Sequence, residues 1–169
     1  MSFTGKNFLN ITVDAIDYLG DNISLNIVEK AQKEGKKILL FWYPKDFTFV
    51  CPTELHAFQE ALPEFEKRNT IVIGASCDSA EVHFAWLSTA KDNGGIEGVE
   101  YAIIADTNRN LSSVLGILEM KEVEHPEYGT LVEGSAVSYR ATYLIDETGK
   151  VFHESVNDMP LGRNVKEFI

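Results

Sequence analysis

Apolar runs alternating with amphipathic ones, then two closing strands joined by a tight turn, predict an α/β domain: a mixed sheet with helices on both faces. Two runs, Lys37–Tyr43 and Thr70–Ser76, are almost continuously apolar, as expected of strands buried on both sides. Between and after them apolar residues recur at helical spacing. At 169 residues the chain reads as one domain spanning 1–169, with no repeat, low-complexity stretch or linker.

Taken in order, Ile11–Tyr18 alternates loosely and precedes a turn signal at Leu19–Asn22. Ser24–Lys37 reads as a helix capped by Ser24 and closed by Gly35. After the strand Lys37–Tyr43, residues Leu55, Phe58, Leu62 and Phe65 fall at helical spacing, and Pro63 should kink or split that helix. Thr70–Ser76 is the second buried strand. Ala80–Ala90 is a helix with Val82, Ala85 and Trp86 on one face. Tyr101–Asp106 is a strand, and Asn108–Gly116 a short helix. Lys121–Ser135 is polar, contains Pro and Gly, and reads as an exposed insertion. Ser138–Asp146, the turn Glu147–Lys150 and Val151–Asp158 form a β-hairpin. Leu161–Ile169 begins a last helix.

Net charge is −11, which disfavours generic nucleic-acid binding and adhesion to anionic membrane. No apolar run is long enough to span a bilayer, and the N-terminus lacks the basic-then-apolar order of a signal peptide. Two cysteines are too few for a disulfide scaffold. A reducing compartment, the cytoplasm, is the expected location.

Cys51 lies between the β-branched run Phe47–Val50 and Pro52. Pro52 suits the first helical position, which would make Cys51 the N-cap; alternatively Thr48 caps and Cys51 lies in the first turn. Either way the sulfur sits at a helix N-terminus, where unpaired N–H groups favour an anion. A free thiol is only ~3% ionised near neutral pH. Making it mostly thiolate takes roughly 2.7 kcal/mol, whereas a helix end supplies ~0.3–1 kcal/mol, so a reactive cysteine here needs a cation from elsewhere. Position alone leaves a second reading open, a small buried core residue. Zinc is disfavoured because His56, His83, His125, His153 and Cys77 are scattered. The stretch "CPTE" is not C-x-x-C, which excludes a dithiol within the motif.

The stretch "FWYPKDFTFVCPTEL" resembles the active-site segment of the peroxiredoxins, closest to the typical two-cysteine group that includes alkyl hydroperoxide reductase C. Pro44, Thr48 and Cys51 meet its P-x-x-x-T-x-x-C signature. The likeness extends through "GASCDSAEVHFAW", the glycine-rich Gly94–Gly98, and "YRATYLIDETGKVFHESVNDMPLGRN". It implies a thioredoxin-like fold and a peroxidase that reduces hydrogen peroxide and small organic hydroperoxides with no metal or other cofactor. Cys51 would be the peroxidatic nucleophile, oxidised to sulfenic acid. Thr48 would accept from the peroxide and donate toward the thiolate, Pro44 would wall the pocket, and Arg140 would supply the cation. Without the resemblance, Arg140 reads as a surface arginine on a strand. Glu54 and Arg163 would hold Arg140 in place.

The resemblance further implies a homodimer built on the closing strand, joined into a decamer through contacts near the active-site loop and near Ser79. A thioredoxin-like or flavoprotein disulfide reductase would be the electron donor. Three features depart from the family pattern. The Lys121–Ser135 segment is longer than expected. Cys77 ends a buried strand, where this group does not keep its resolving thiol, and is expected to be structural. The chain stops at "NVKEFI" without a helix stop signal, so the resolving cysteine is expected in a tail beyond Ile169. Two alternatives stay open: a one-cysteine peroxidase served by external thiol, and a redox-regulated holdase.

Overall fold

The computed structural model describes residues 2–48, 51–159 and 163–169. Its centre is a seven-stranded mixed sheet. The strands are β1 (Thr12–Ile16), β2 (Asn22–Asn26), β3 (Lys37–Trp42), β4 (Thr70–Ser76), β5 (Ile103–Ala105), β8 (Arg140–Ile145) and β9 (Val151–Asn157). They lie in the order β2-β1-β5-β4-β3-β8-β9. β3, β4 and β5 run parallel, and the remaining pairs are antiparallel. The helices are α1 (Ile27–Glu34), α2 (Cys51–Glu60), α3 (Leu62–Lys67), α4 (Ala80–Leu87) and α5 (Asn110–Leu115). None of the described helices is long and apolar enough to cross a membrane.

The continuous apolar runs are central strands because both faces of the sheet are covered. Successive side chains of a strand point to opposite faces. Ile38, Leu40 and Trp42 therefore pack on one side with α1 and α5, while Leu39, Phe41 and the following Tyr43 pack on the other with α2, α3 and α4. Pro63 divides the predicted long helix into α2 and α3, as expected.

Ser24 is not a helix cap. It lies in β2, paired with Asp14 of β1, and the cap is Asn26, whose side chain accepts from the Glu29 amide at 3.1 Å. Both residue types cap well; tertiary pairing with β1 decides between them. The inner face of α4 is His83 and Trp86 rather than Val82 and Ala85. The expected last helix is a short 3-10 turn over Val165–Phe168 in the described part. The polar insertion is exposed as expected, and it is structured: β6 (Lys121–His125) and β7 (Gly129–Glu133) form a separate antiparallel hairpin.

Candidate active site

Cys51 is itself helical and is the first described residue of α2, so it is not the N-cap and its thiol lies on the helix, ahead of Pro52. The side chain is fully buried. β8 begins with Arg140, beside the end of β3, and this places its guanidinium over the start of α2. Arg140 Nη1 donates to Cys51 Sγ at 3.4 Å across 89 residues of sequence. Its Nε donates to the Met159 carbonyl at 2.6 Å, and Nη1 also donates to Glu54 Oε1.

Glu54 lies one turn after Cys51 and is buried against two guanidiniums. Its second oxygen accepts from Arg163 Nε at 2.8 Å and from the Arg163 amide at 3.1 Å. Arg163 continues to the Ala141 carbonyl and the Thr142 hydroxyl, both at 2.8 Å, and to the Trp42 carbonyl. Its guanidinium also lies 5.5 Å from the centre of the Phe41 ring. Burial pulls Arg163 below its ordinary value, and the Glu54 carboxylate opposes that. Two buried cations share one carboxylate, leaving a surplus positive charge next to the sulfur. A thiolate neutralises that surplus; a thiol does not.

Pro44 is buried beside Tyr43. Thr48 departs from expectation: its hydroxyl donates to the Lys45 carbonyl at 3.1 Å, with no hydrogen bond to Cys51 among the described residues. The physical reason is local, since a threonine hydroxyl readily satisfies a carbonyl three residues back. The structure thus joins Cys51, Arg140, Glu54 and Arg163 into one network, with Pro44 and Thr48 on the loop before α2.

That loop has an anchor with no counterpart among the residues expected from sequence. Asp46 is buried, accepts from the Tyr43 hydroxyl at 2.6 Å, and sits 2.6 Å from His83 Nδ1. His83 Nε2 lies 3.1 Å from the Ile104 carbonyl, which only accepts, so Nε2 carries a proton. The short Nδ1–Oδ2 contact then requires one more proton shared between imidazole and carboxyl. Burial pushes the Asp46 carboxyl up, against the pull of His83; burial, with Asp46 adding to it, raises the Tyr43 phenol well above its usual range. Asp78 completes the cluster by accepting from the Asp46 amide at 2.9 Å and the Ser76 hydroxyl at 2.7 Å. Asp46, Asp78 and His83 bring potential metal-ligand atoms within 4.8 Å of one another, but these groups are engaged in the hydrogen bonds just described. The neighbouring Phe47 has φ 59°, a left-handed conformation that costs a non-glycine residue about 1–2 kcal/mol, and the Asp46 anchor offsets it. Asp46→Asn is expected to lower unfolding free energy by about 1–3 kcal/mol in a urea titration. An unchanged midpoint would show the anchor to be dispensable.

Cys77 follows β4, is buried, and contacts the Ser112 hydroxyl at 3.6 Å. Burial pushes its thiol up, with Ser112 acting in the opposite direction.

A sequence profile of the AhpC/TSA family matches residues 4–154. The chain is 39% identical over 158 residues to alkyl hydroperoxide reductase C of Buchnera aphidicola, covering 94% of this chain and 72% of that one. Against the human mitochondrial thioredoxin-dependent peroxide reductase it is 40% identical over 134 residues, covering 79% and 47%. The chain thus spans between about half and three quarters of the length of the curated relatives it matches. The crystal structure of reduced 2-Cys peroxiredoxin from Plasmodium vivax superposes with a TM-score of 0.85 at 32% identity, covering 99% of this chain and 79% of that one. It carries the thioredoxin-like peroxiredoxin fold expected from the sequence. With the family profile matching from near one end to the β9 strand, the chain belongs to the AhpC/TSA family, that of the peroxiredoxins and alkyl hydroperoxide reductases C.

Proposed function

We propose that Cys51 is the nucleophile with which this chain, a thiol-dependent peroxidase, reduces hydrogen peroxide and small organic hydroperoxides. The observation that carries this reading is the Arg140–Cys51 contact at 3.4 Å inside a buried, net-cationic network. The thiolate attacks one peroxide oxygen, the O–O bond breaks, and the leaving oxygen departs as water or alcohol while Cys51 becomes sulfenic acid. Arg140 holds fixed N–H donors where negative charge lies on sulfur and develops on oxygen. Thr48 turns its hydroxyl from Lys45 toward the peroxide by rotation about χ1, and Pro44 helps keep water from the sulfur.

Resolution needs a thiol other than Cys77, which is buried and hydrogen-bonded away from the network. The second thiol comes from a tail cysteine of a partner subunit or from an external donor, and a thioredoxin-like or flavoprotein disulfide reductase restores it. The reducing cytoplasm suits two unpaired cysteines. β9 ends the sheet with Phe152 and Val156 exposed, an edge fit to pair with its copy in a homodimer, and such dimers would join into a decamer. Light scattering at micromolar concentration tests the assembly: a monomer in reductant would contradict it.

The activity is tested by stopped-flow peroxide consumption. Cys51→Ser should abolish it, and Cys77→Ser should leave it within about twofold, because a thiol shifted upward by burial stays protonated and inert near neutral pH. A Cys51–Cys77 disulfide as the main product in peptide mapping would instead make the chain self-resolving.

A further inference from the structure

The segment from Pro44 to Thr48 is held by ties that bypass Arg140, Glu54 and Arg163. Asp46 stands at its midpoint, two residues after Pro44 and two before Thr48. The Asp46 amide donates to Asp78 Oδ2 at 2.9 Å. Its Oδ1 accepts from the Tyr43 hydroxyl and its Oδ2 faces His83 Nδ1, each at 2.6 Å. The Phe47 ring lies 5.9 Å from that of Trp86 on α4. The Thr48 hydroxyl is bonded back to the Lys45 carbonyl, so a shift at Asp46 carries Thr48 with it.

Apolar packing alone leaves this segment under-determined. Of its members only Pro44 and Asp46 are buried; Lys45 is exposed, and Phe47 is 52% exposed with φ 59°. Direction has to come from hydrogen bonds, and His83 supplies the one with the firmest backing. Its side chain is fully buried. Its Nε2 donates to the Ile104 carbonyl at 3.1 Å. Ile104 lies inside β5, paired with Ala75 of β4 and Ala15 of β1, so this acceptor moves only with the sheet. The imidazole is rigid: one nitrogen is fixed to the sheet and the other meets the loop carboxyl. A buried ionisable pair is costly to desolvate, and an apolar filling would be cheaper. What the pair adds is orientation.

We propose that His83 is a positioning residue for peroxide reduction: through Nδ1 it holds Asp46, and so sets where Pro44 and Thr48 stand around the peroxide. The inference rests on the peroxidase reading. It divides the work of the site between two independent devices. Arg140 comes from β8 and is fixed by the Met159 carbonyl and Glu54; it makes the nucleophile. The Asp46–His83 link comes from the loop and α4; it places the groups that receive the substrate. Loss of the link therefore slows the reaction with peroxide without changing the ionisation of Cys51.

Two substitutions separate the imidazole nitrogens. His83→Asn sets an amide nitrogen where Nδ1 stood, keeping a donor to Asp46 and giving up the Ile104 carbonyl. His83→Gln reaches the Ile104 carbonyl and leaves Asp46 without this partner. The full parent chain is first given one equivalent of peroxide and weighed; no gain of one oxygen on Cys51 would refute the peroxidase reading before any variant is compared. In single-turnover stopped-flow mixing with hydrogen peroxide, His83→Gln should react about 10- to 100-fold more slowly than the parent, and His83→Asn within about threefold of it. The Cys51 thiolate titration, read by ultraviolet absorbance against Cys51→Ser, should be the same in all three. Glutamine is the better helix former, so a histidine that served only to stabilise α4 would give the opposite order of rates. Should both variants fail to fold, Tyr43→Phe reads the same anchor: it removes one hydroxyl from Asp46, keeps the ring against Phe41 and Trp86, and should slow the peroxide step about threefold or more. Equal rates in the two His83 variants, a Cys51 titration that moves with His83→Gln, or a parental rate in Tyr43→Phe would overturn the positioning role.

Discussion

Arg140→Ala is expected to slow the reaction of Cys51 with hydrogen peroxide by about 10²–10³, the usual loss when one pre-placed donor to a developing charge is removed. Arg140 is the described residue that donates a hydrogen bond directly to the sulfur. Its orientation is fixed at two further points, the Met159 carbonyl and Glu54, so the donor needs no reorganisation as the O–O bond breaks. Removing it also leaves Glu54 to pair with Arg163 alone, and the surplus positive charge beside the sulfur disappears. Arg140→Lys should recover little of the rate. A single ammonium on a flexible stem does not reproduce a planar fork that serves Met159, Glu54 and Cys51 together. Single-turnover stopped-flow mixing with peroxide, with no thiol donor present, isolates this step. A rate within about threefold of the parent would remove Arg140 from the reaction.

What is legible in the sequence follows from how local each signal is. β3 and β4 are continuous apolar runs because both faces are covered, and Pro63 breaks α2 from α3 through its own backbone. The Cys51 segment is likewise a local motif. Arg140 and Arg163 reach the site only through the sheet; without the resemblance, Arg140 reads as a surface residue on a strand. Asp46 and His83 are hidden for a different reason. A loop aspartate and a helical histidine are ordinary singly, and their meeting 37 residues apart is a tertiary event. One signal is present: His83 is three residues before Trp86, on the same side of α4, and taking Val82 and Ala85 for the inner face conceals it. Ser24 misleads because local capping preference carries no information about pairing with β1. In the insertion, the strand signals at Lys121–His125 and Gly129–Glu133, joined by the turn at 126–128, are masked by the many glutamates.

Glu54→Ala is expected to lower the unfolding free energy by about 3–5 kcal/mol, because it leaves buried charges without their partner. For a chain of this size that corresponds to a drop of roughly 6–20 °C in melting temperature. Both guanidiniums lose their carboxylate at once, and the buried Arg163 side chain is held among the Trp42, Ala141 and Thr142 backbone and hydroxyl groups. Glu54→Gln should cost less, since the amide oxygen still accepts one bond while the charge is lost. The loss should also be non-additive. Adding Arg163→Met to Glu54→Leu removes one of the two stranded cations and replaces it with apolar bulk against Phe41 and Phe58. The double variant should therefore be less destabilised than the sum of its single changes. Denaturant melts at one fixed protein concentration keep any assembly equilibrium constant across the series. Strict additivity of the two changes, or a Glu54→Ala loss under about 1 kcal/mol, would mean that the carboxylate is not what holds the two arginines in place, and that Arg140 is aimed at Cys51 by the Met159 carbonyl alone.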